Sequence, residues 1–156
     1  DRSGRLIVIN YPNSYLSNLY SFKQIAEFKD VFIANRSFAE LKDKALSLRD
    51  LLNYPILMLD RKSTTSEFLH SLFQKHQLDL VPEIELSSND LLIDLAKIGL
   101  GIAFIPDYCV PKDSDDLFVV HTDEVLPTRQ LVVVHNDHVP VSKATLEFLN
   151  YFQPIE

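Results

Sequence analysis

The stretch Ser87–Pro106, SSNDLLIDLAKIGLGIAFIP, decides how the rest of the chain is read, because it describes a helix that feeds a strand. Ser87 or Ser88 can cap the helix by accepting from a first-turn N–H, and Asp90 places negative charge where the helix dipole favours it. Leu91, Leu92, Leu95 and Ile98 recur at helical spacing and predict one apolar face. Lys97 falls in the last turn, and Gly99 stands where a left-handed residue would end the helix. Residues 100–105 are apolar apart from Gly101, which predicts a strand covered on both faces, and Pro106 stops it. A dinucleotide-binding Gly-x-Gly turn follows a strand and opens a helix. Here the order is reversed, so no phosphate cradle is predicted.

Outward from that stretch, the chain alternates strands with helices. RLIVI at 5–9 is a short apolar strand ending in the turn Asn10-Tyr11-Pro12, and the polar and aromatic residues after it read as loop. Phe28–Asn35 reads as one strand, followed by a polar segment through Lys44. Ser47–Leu52 is a capped helical turn halted before Tyr54-Pro55, and Ile56–Leu59 is a strand. The next helix carries Thr64 as its expected N-cap with Glu67 three residues on. It buries Phe68, Leu69, Leu72 and Phe73 and runs out near His76. Pro82–Leu86, Leu117–His121 and Arg129–His135 read as strands, and Ser142–Phe152 as a final helix. The alternation predicts an α/β fold with a mostly parallel sheet.

The chain has 156 residues, 46% of them hydrophobic, enough for one domain or for two small lobes sharing hinge strands. A net charge of −7 argues against this piece gripping a phosphate backbone, so any DNA contact is expected from elsewhere. No run of about 18 apolar residues predicts a membrane span. Neither a basic n-region nor an apolar h-region opens the chain, and Asp1 stands where an initiator Met would, which predicts a fragment or processed chain. The single cysteine, Cys109, cannot form an intrachain disulfide and suits a reducing, cytoplasmic setting.

Open α/β sheets bind ligands beyond the carboxyl ends of their strands. The best such place is Asp60–Ser66, where Ser63, Thr64, Thr65 and Ser66 meet a helix N-terminus suited to a carboxylate or other anion. The alternative is that Thr64 caps the helix and the other hydroxyls are solvated. Asn10 and Tyr11 also follow a strand and are second candidates, with a plain turn as the alternative. No catalytic set is expected: Cys109 has no basic neighbour or helix start to activate it. His135-Asn136-Asp137-His138 lacks a third metal ligand, and Asp113-Ser114-Asp115-Asp116 lacks the glycine and distal glutamate of an EF-hand loop. His70 and His76 lie six apart, not at the spacing of a helical metal pair, and neither receives a role. No metal or cofactor is expected.

Three segments in order carry a resemblance: LSLRDLLNYPILMLDRKSTTSEF (46–68), VPEIELSSNDLLIDLAKIGLGIAFIPDY (81–108) and RQLVVVHNDHVPVSKATLEFLNYF (129–152). Together they resemble the effector-binding domain of LysR-type transcriptional regulators. The strongest marker is the V-x-x-GLGIA-x-x-P element, present from Gly99 to Pro106 with Ala96 where the family usually has valine, and GRLIVINYP is similar to a strand preceding the first crossing between lobes. The resemblance runs from Gly4 to Phe152. It implies a fold like type II periplasmic binding proteins, with two Rossmann-like lobes and two hinge crossings, placed at Ile33–Asn35 and Val133–His135. It further implies that residues 36–135 form the second lobe and that residues 1–35 and 136–156 are remnants of the first. Roughly 50–60 residues of that lobe would be missing, along with the winged helix-turn-helix that binds DNA. A small anionic effector would bind between the lobes against Ser63, Thr64 and Thr65, with Pro106 turned to the interlobe side. The chain would act without catalysis, as a homodimer or tetramer, with the 65–76 helix as a dimer element, no membrane partner, and DNA reached only through the absent domain. The alternatives are a solute-binding protein of the same fold and a small α/β enzyme.

Overall fold

Alternating apolar residues on three neighbouring strands build two hydrophobic cores, one on each face of a single sheet. The computed structural model describes residues 5–9 and 21–135, with side chains for residues 26–130. The strands are β1 (Arg5–Ile9), β2 (Ser21–Phe28), β3 (Asp30–Asn35), β4 (Ala45–Leu46), β5 (Ile56–Leu59), β6 (Ile84–Leu86), β7 (Ile102–Pro106), β8 (Leu117–Thr122) and β9 (Arg129–His135). The helices are α1 (Leu48–Leu51), α2 (Thr64–Lys75) and α3 (Asn89–Lys97), with 3-10 turns at Arg36–Leu41 and Asp107–Cys109. The expected final helix, Ser142–Phe152, lies outside the described residues.

The chain divides into two compact units, residues 1–29 with 127–156 and residues 30–126. In the first, β9 lies between β1 and β2, antiparallel to both. The Arg129 guanidinium is buried there, 5.1 Å over the Phe28 ring. The second unit holds a six-stranded sheet in the order β4-β8-β3-β7-β5-β6.

Side chains alternate across a strand, so each central strand of that sheet serves both cores. On one face Phe32, Ala34, Ile56, Met58, Ile102 and Phe104 meet Leu69, Leu72 and Phe73 of α2. On the other, Ile33, Leu57, Ala103 and Ile105 meet Leu92, Ile93 and Ala96 of α3. This explains the unbroken apolar run in β7, all five residues of which are buried.

The joint between α3 and β7 follows the sequence closely. Ser88 caps α3, its Oγ accepting from Leu91 N at 3.2 Å. At the other end Gly99 N donates to Ala96 O and Leu100 N to Leu95 O, with Gly99 at φ +84°, which is a Schellman closure.

Several expectations need correction. The expected strand Phe28–Asn35 is broken at Lys29 into β2 and β3, which belong to different sheets. Burial alternates through Phe28, Lys29 and Asp30 without a turn residue, so nothing local marks the break. The large sheet is mixed rather than mostly parallel: β4–β8, β5–β7 and β5–β6 pair in parallel, while β3 runs antiparallel to both β7 and β8. Helical crossovers make β5, β6 and β7 parallel, but β3 enters at the edge where β7 ends, Asp30 opposite Pro106, and so runs the other way. The buried stripe of α3 is Leu92, Ile93 and Ala96, while Leu91 and Ile98 are exposed; both stripes are apolar, and spacing alone does not choose between them. The chain passes between units at 29/30 and 126/127, whereas Ile33–Asn35 lies inside β3 and Val133–His135 inside β9.

A Cβ on Gly99 would meet Ser37 Oγ at 2.7 Å in a backbone conformation that L residues rarely adopt. Gly99→Ala is therefore expected to destabilise the fold by about 1–3 kcal/mol, measured as a lower urea midpoint with an unchanged m-value.

Candidate functional site

The carboxyl ends of β5, β6 and β7 share one edge of the sheet, because these strands pair in parallel. Asp60, just past β5, donates its N–H to Leu86 O at 2.8 Å and so ties the ends of β5 and β6 together. Pro106, the last residue of β7, lies at the same edge. The structure thus brings the Asp60–Ser66 turn and Pro106, both expected at the site, to one end of the sheet.

Within the turn, Asp60 Oδ1 accepts from Lys62 N at 3.1 Å and Asp60 O accepts from Ser63 N at 3.1 Å. These two bonds fold the chain tightly into α2. The cap is Ser63, one residue earlier than expected: its Oγ accepts from Ser66 N at 3.0 Å and its backbone O from Glu67 N at 3.1 Å. Thr64 is the first helical residue instead. Either residue type caps well, and the Asp60 turn, which no capping pattern encodes, sets which one does.

The expected ligand-facing hydroxyls consequently differ in role. Ser63 is occupied as the cap and half-buried, Thr64 is exposed, and Thr65 is buried. Arg61 and Lys62 are both exposed in the same turn and add positive charge beside a helix N-terminus. Sequence reasoning assigns neither of them to the site; the signal for them is their position within the turn expected to take an anion. Ser66 is fully buried. Asn10 and Tyr11 lie outside the described residues.

Elsewhere, titratable groups are spread out. Burial, then Asp90, Asp107 and Asp30, push the Cys109 thiol up to about 11, leaving it a poor nucleophile at neutral pH. His76, the C-cap of α2, lies 3.2 Å from Glu124 Oε1. Both line a polar pocket of about 240 Å³ with Ser47, Arg49 and Asp123. Burial first, then Arg61, holds His70 below the ordinary imidazole value, with Glu85 and Asp79 acting the other way. Among the described residues no group of three His, Cys, Asp or Glu side chains is placed to hold a metal ion, and no helix is long and apolar enough to cross a membrane.

A family model described as the LysR substrate binding domain matches residues 6–154. The HTH-type transcriptional activator CmpR of Synechocystis sp. is 26% identical over 123 residues, covering 78% of this chain and 40% of the relative. A probable RuBisCO transcriptional regulator of Thalassiosira pseudonana is 26% identical over 161 residues, covering 96% of this chain and 52% of its own length. The chain thus spans about half or less of the curated relatives it matches. Among solved structures, the regulatory domain of Synechocystis PCC6803 CcmR in complex with 2-PG is similar at a TM-score of 0.71 and 21% identity, over 94% of this chain and 70% of that one. The effector binding domain of QuiR in complex with shikimate is similar at 0.68 and 15% identity, over 94% and 68%. At these identities the likeness is one of fold.

Losing a cap hydroxyl typically costs about 1 kcal/mol, whereas an exposed first-turn substitution costs within about 0.5 kcal/mol. Ser63→Ala is expected to show the larger loss and Thr64→Ala the smaller, compared by thermal unfolding of the two variants.

Proposed function

This chain belongs to the LysR substrate binding domain family and is an effector-binding domain of that type, and from that premise we propose that it is the sensing part of a transcriptional regulator. In this reading a small anionic metabolite binds at the Asp60–Ser66 turn, and DNA is contacted through a winged helix-turn-helix outside this chain. Residues 30–126 correspond in this reading to the second lobe, and residues 1–29 with 127–156 to part of the first. The protein works in the cytoplasm and catalyses nothing. An effector that binds one closure state of the lobes better than another shifts that equilibrium, and the shift is what the rest of the regulator reads.

The observation that carries the ligand reading is the coincidence, in one turn, of the α2 N-terminus, the hydroxyls of Ser63, Thr64 and Thr65, and the exposed cations Arg61 and Lys62. Helix dipole, hydroxyl donors and positive charge all favour the same ligand class. Shikimate, the ligand in the QuiR domain, is a carboxylate and belongs to that class. Pro106 at the same sheet edge supports its place beside the ligand, while Asn10 and Tyr11 are proposed only because their turn follows the strand at 5–9.

A thermal-shift panel of small carboxylates including shikimate, together with 2-PG, tests this site. A genuine effector is expected to raise the midpoint, and Thr64→Ala and Thr65→Ala are each expected to weaken binding about tenfold, the loss of one hydrogen bond to a charged group. Stabilisation that survives both substitutions would place the anion elsewhere.

We further propose that the chain self-associates as a homodimer or tetramer, and that α3 rather than α2 carries the contact. The outer positions of α2, Thr64, Glu67, Ser71 and Gln74, are polar, whereas Leu91, Ile98 and Leu100 are 45%, 70% and 47% exposed on α3 and its closing turn. Asp90 in the first turn and Lys97 in the last give the helix opposite charges at its two ends, which suits an antiparallel approach by a second copy. The double variant Leu91→Glu/Ile98→Glu is expected to sediment as a monomer under conditions where the parent chain forms a dimer; an unchanged distribution would exclude this face.

A further inference from the structure

The polar pocket of about 240 Å³ lined by Ser47, Arg49, His76, Leu78, Asp123 and Glu124 lies at the opposite end of α2 from the Asp60–Ser66 turn. All of these residues belong to the unit of residues 30–126. A helix of 12 residues spans about 18 Å, so a small molecule in one place does not reach the other. Three segments meet here, and backbone bonds hold each of them. Asp123 N donates to Leu46 O at 2.9 Å, which ties the connector after β8 to the start of α1. Thr122 Oγ1 donates to Glu124 O at 2.7 Å, and Ser47 and Asp50 cap α1 reciprocally. On the third wall Gln77 stands at φ +61°, in the left-handed region, and Leu78 N donates to Phe73 O at 2.9 Å to close α2. That reversal leaves His76 and Leu78, on either side of Gln77, on the wall of one cavity. Backbone held in such a region by its surroundings is a mark of sites that must keep a geometry.

The charged groups on these walls are not all satisfied. His76 Nε2 and Glu124 Oε1 lie 3.2 Å apart and partner each other. Arg49 and Asp123 carry opposite charges and line the same cavity, yet among the described residues neither side chain makes a hydrogen bond or an ion pair. They are too far apart to pair directly. A molecule that satisfies both must carry an anionic and a cationic group a few bonds from each other. A carboxylate matches the planar fork of the Arg49 guanidinium, and an ammonium brings three donors to the Asp123 carboxylate. Ser47 Oγ accepts from Asp50 N, so its O–H is left to donate. The cavity is smaller than the roughly 300–1,000 Å³ of pockets for drug-sized ligands, which restricts it to a molecule of few atoms.

We propose that this pocket binds a free α-amino acid as its zwitterion, with the carboxylate on Arg49 and the ammonium on Asp123. The site is separate from the anion site at the Asp60–Ser66 turn and does not rest on it. Ions of a single charge are served worse, because each meets one matching group and one of its own sign. A polar side chain on the ligand finds a donor and an acceptor in the His76–Glu124 pair at the same wall. Arg49 and Asp123 are exposed, so water screens both contacts. Each is accordingly expected to contribute about three- to fivefold in affinity, and binding is expected in about the millimolar range.

The test is a titration of the nitrogen-15-labelled parent chain, followed by NMR, with glycine and L-glutamine as probes and with acetate and methylammonium at matched ionic strength as their single-charge counterparts. Saturable shifts are expected for the amides of Ser47, Arg49, His76, Asp123 and Glu124 with either amino acid, and weaker ones without saturation for acetate and methylammonium. Arg49→Gln and Asp123→Asn are each expected to weaken binding about three- to fivefold, and Arg49→Lys to keep part of the affinity. Both positions are exposed, so an otherwise unchanged spectrum shows that each variant keeps the fold. Acetate or methylammonium binding as tightly as the amino acids would make the pocket a site for one charge only and overturn the proposal. So would the absence of saturable shifts, or an affinity indifferent to both charge-removing variants. Shifts confined to residues 61–66 would place the amino acid at the other turn, overturning this site while leaving the anion reading standing.

Discussion

A single buried amide, the side chain of Asn35, joins backbone segments that lie 62 positions apart. Its Nδ2 donates to Lys97 O at 2.9 Å and its Oδ1 accepts from Ser37 N at 2.8 Å. The first bond satisfies a carbonyl in the last turn of α3, where no intrahelical donor remains. The second starts the 3-10 turn that carries the chain away from β3. Gly99 passes directly over this joint, since any side chain there would strike Asn35 and Ser37. The end of α3 is thereby fixed against the end of β3, and two residues later Gly101 lies against Pro55 O, where a Cβ would approach to 2.6 Å. Ile102 N donates to that same carbonyl at 2.8 Å, which draws β7 alongside β5. The order of the central strands, β3-β7-β5, follows from these contacts.

With β7 between β3 and β5, the candidate site falls at one edge of the sheet. The parallel strands β5, β6 and β7 end at a common edge, and α2 leaves the sheet there with its N-terminus toward that edge. Phe104 on β7 is stacked on Phe68 of α2 and lies 4.7 Å from Phe32 on β3, so the helix is seated on the strands that the Asn35 joint organises. The polar turn is then held by its own backbone, through Asp60 and Ser63, leaving Arg61 and Lys62 exposed. Rigid scaffold and charged turn are thus separate achievements of the same sheet edge.

Which parts of this could be read in advance depends on whether the governing interaction is local. The Ser88 cap, the left-handed Gly99, the Ser47 cap of α1 and the runs that become β5 and β7 are decided within a few residues, and the sequence shows them plainly. The break at Lys29 is decided by two different sheets recruiting its two sides, and the residues themselves alternate without interruption. The inward stripe of α3 is selected by Ile33, Leu57 and Ala103 across the core, not by the helix, whose apolar residues outnumber one face. At the site, the turn was legible as hydroxyl-rich, but the cap position was not, because Asp60 sets it.

The element that carries the family resemblance and the element proposed to meet a ligand are therefore different, for a physical reason. Gly99 and Gly101 are confined by backbone atoms and by Asn35, and β7 fills both cores at once, so nearly every side chain from Gly99 to Ile105 is constrained by packing. Such positions are set by the fold itself, and the likeness to the QuiR domain at 15% identity is likewise one of fold. Arg61, Lys62 and Thr64 are exposed, and substituting them disturbs no core contact. A turn of that kind can change its charge and its donors without cost to the sheet beneath it. The proposed ligand chemistry accordingly resides in the exposed residues of the turn, not in the segment that carries the family resemblance.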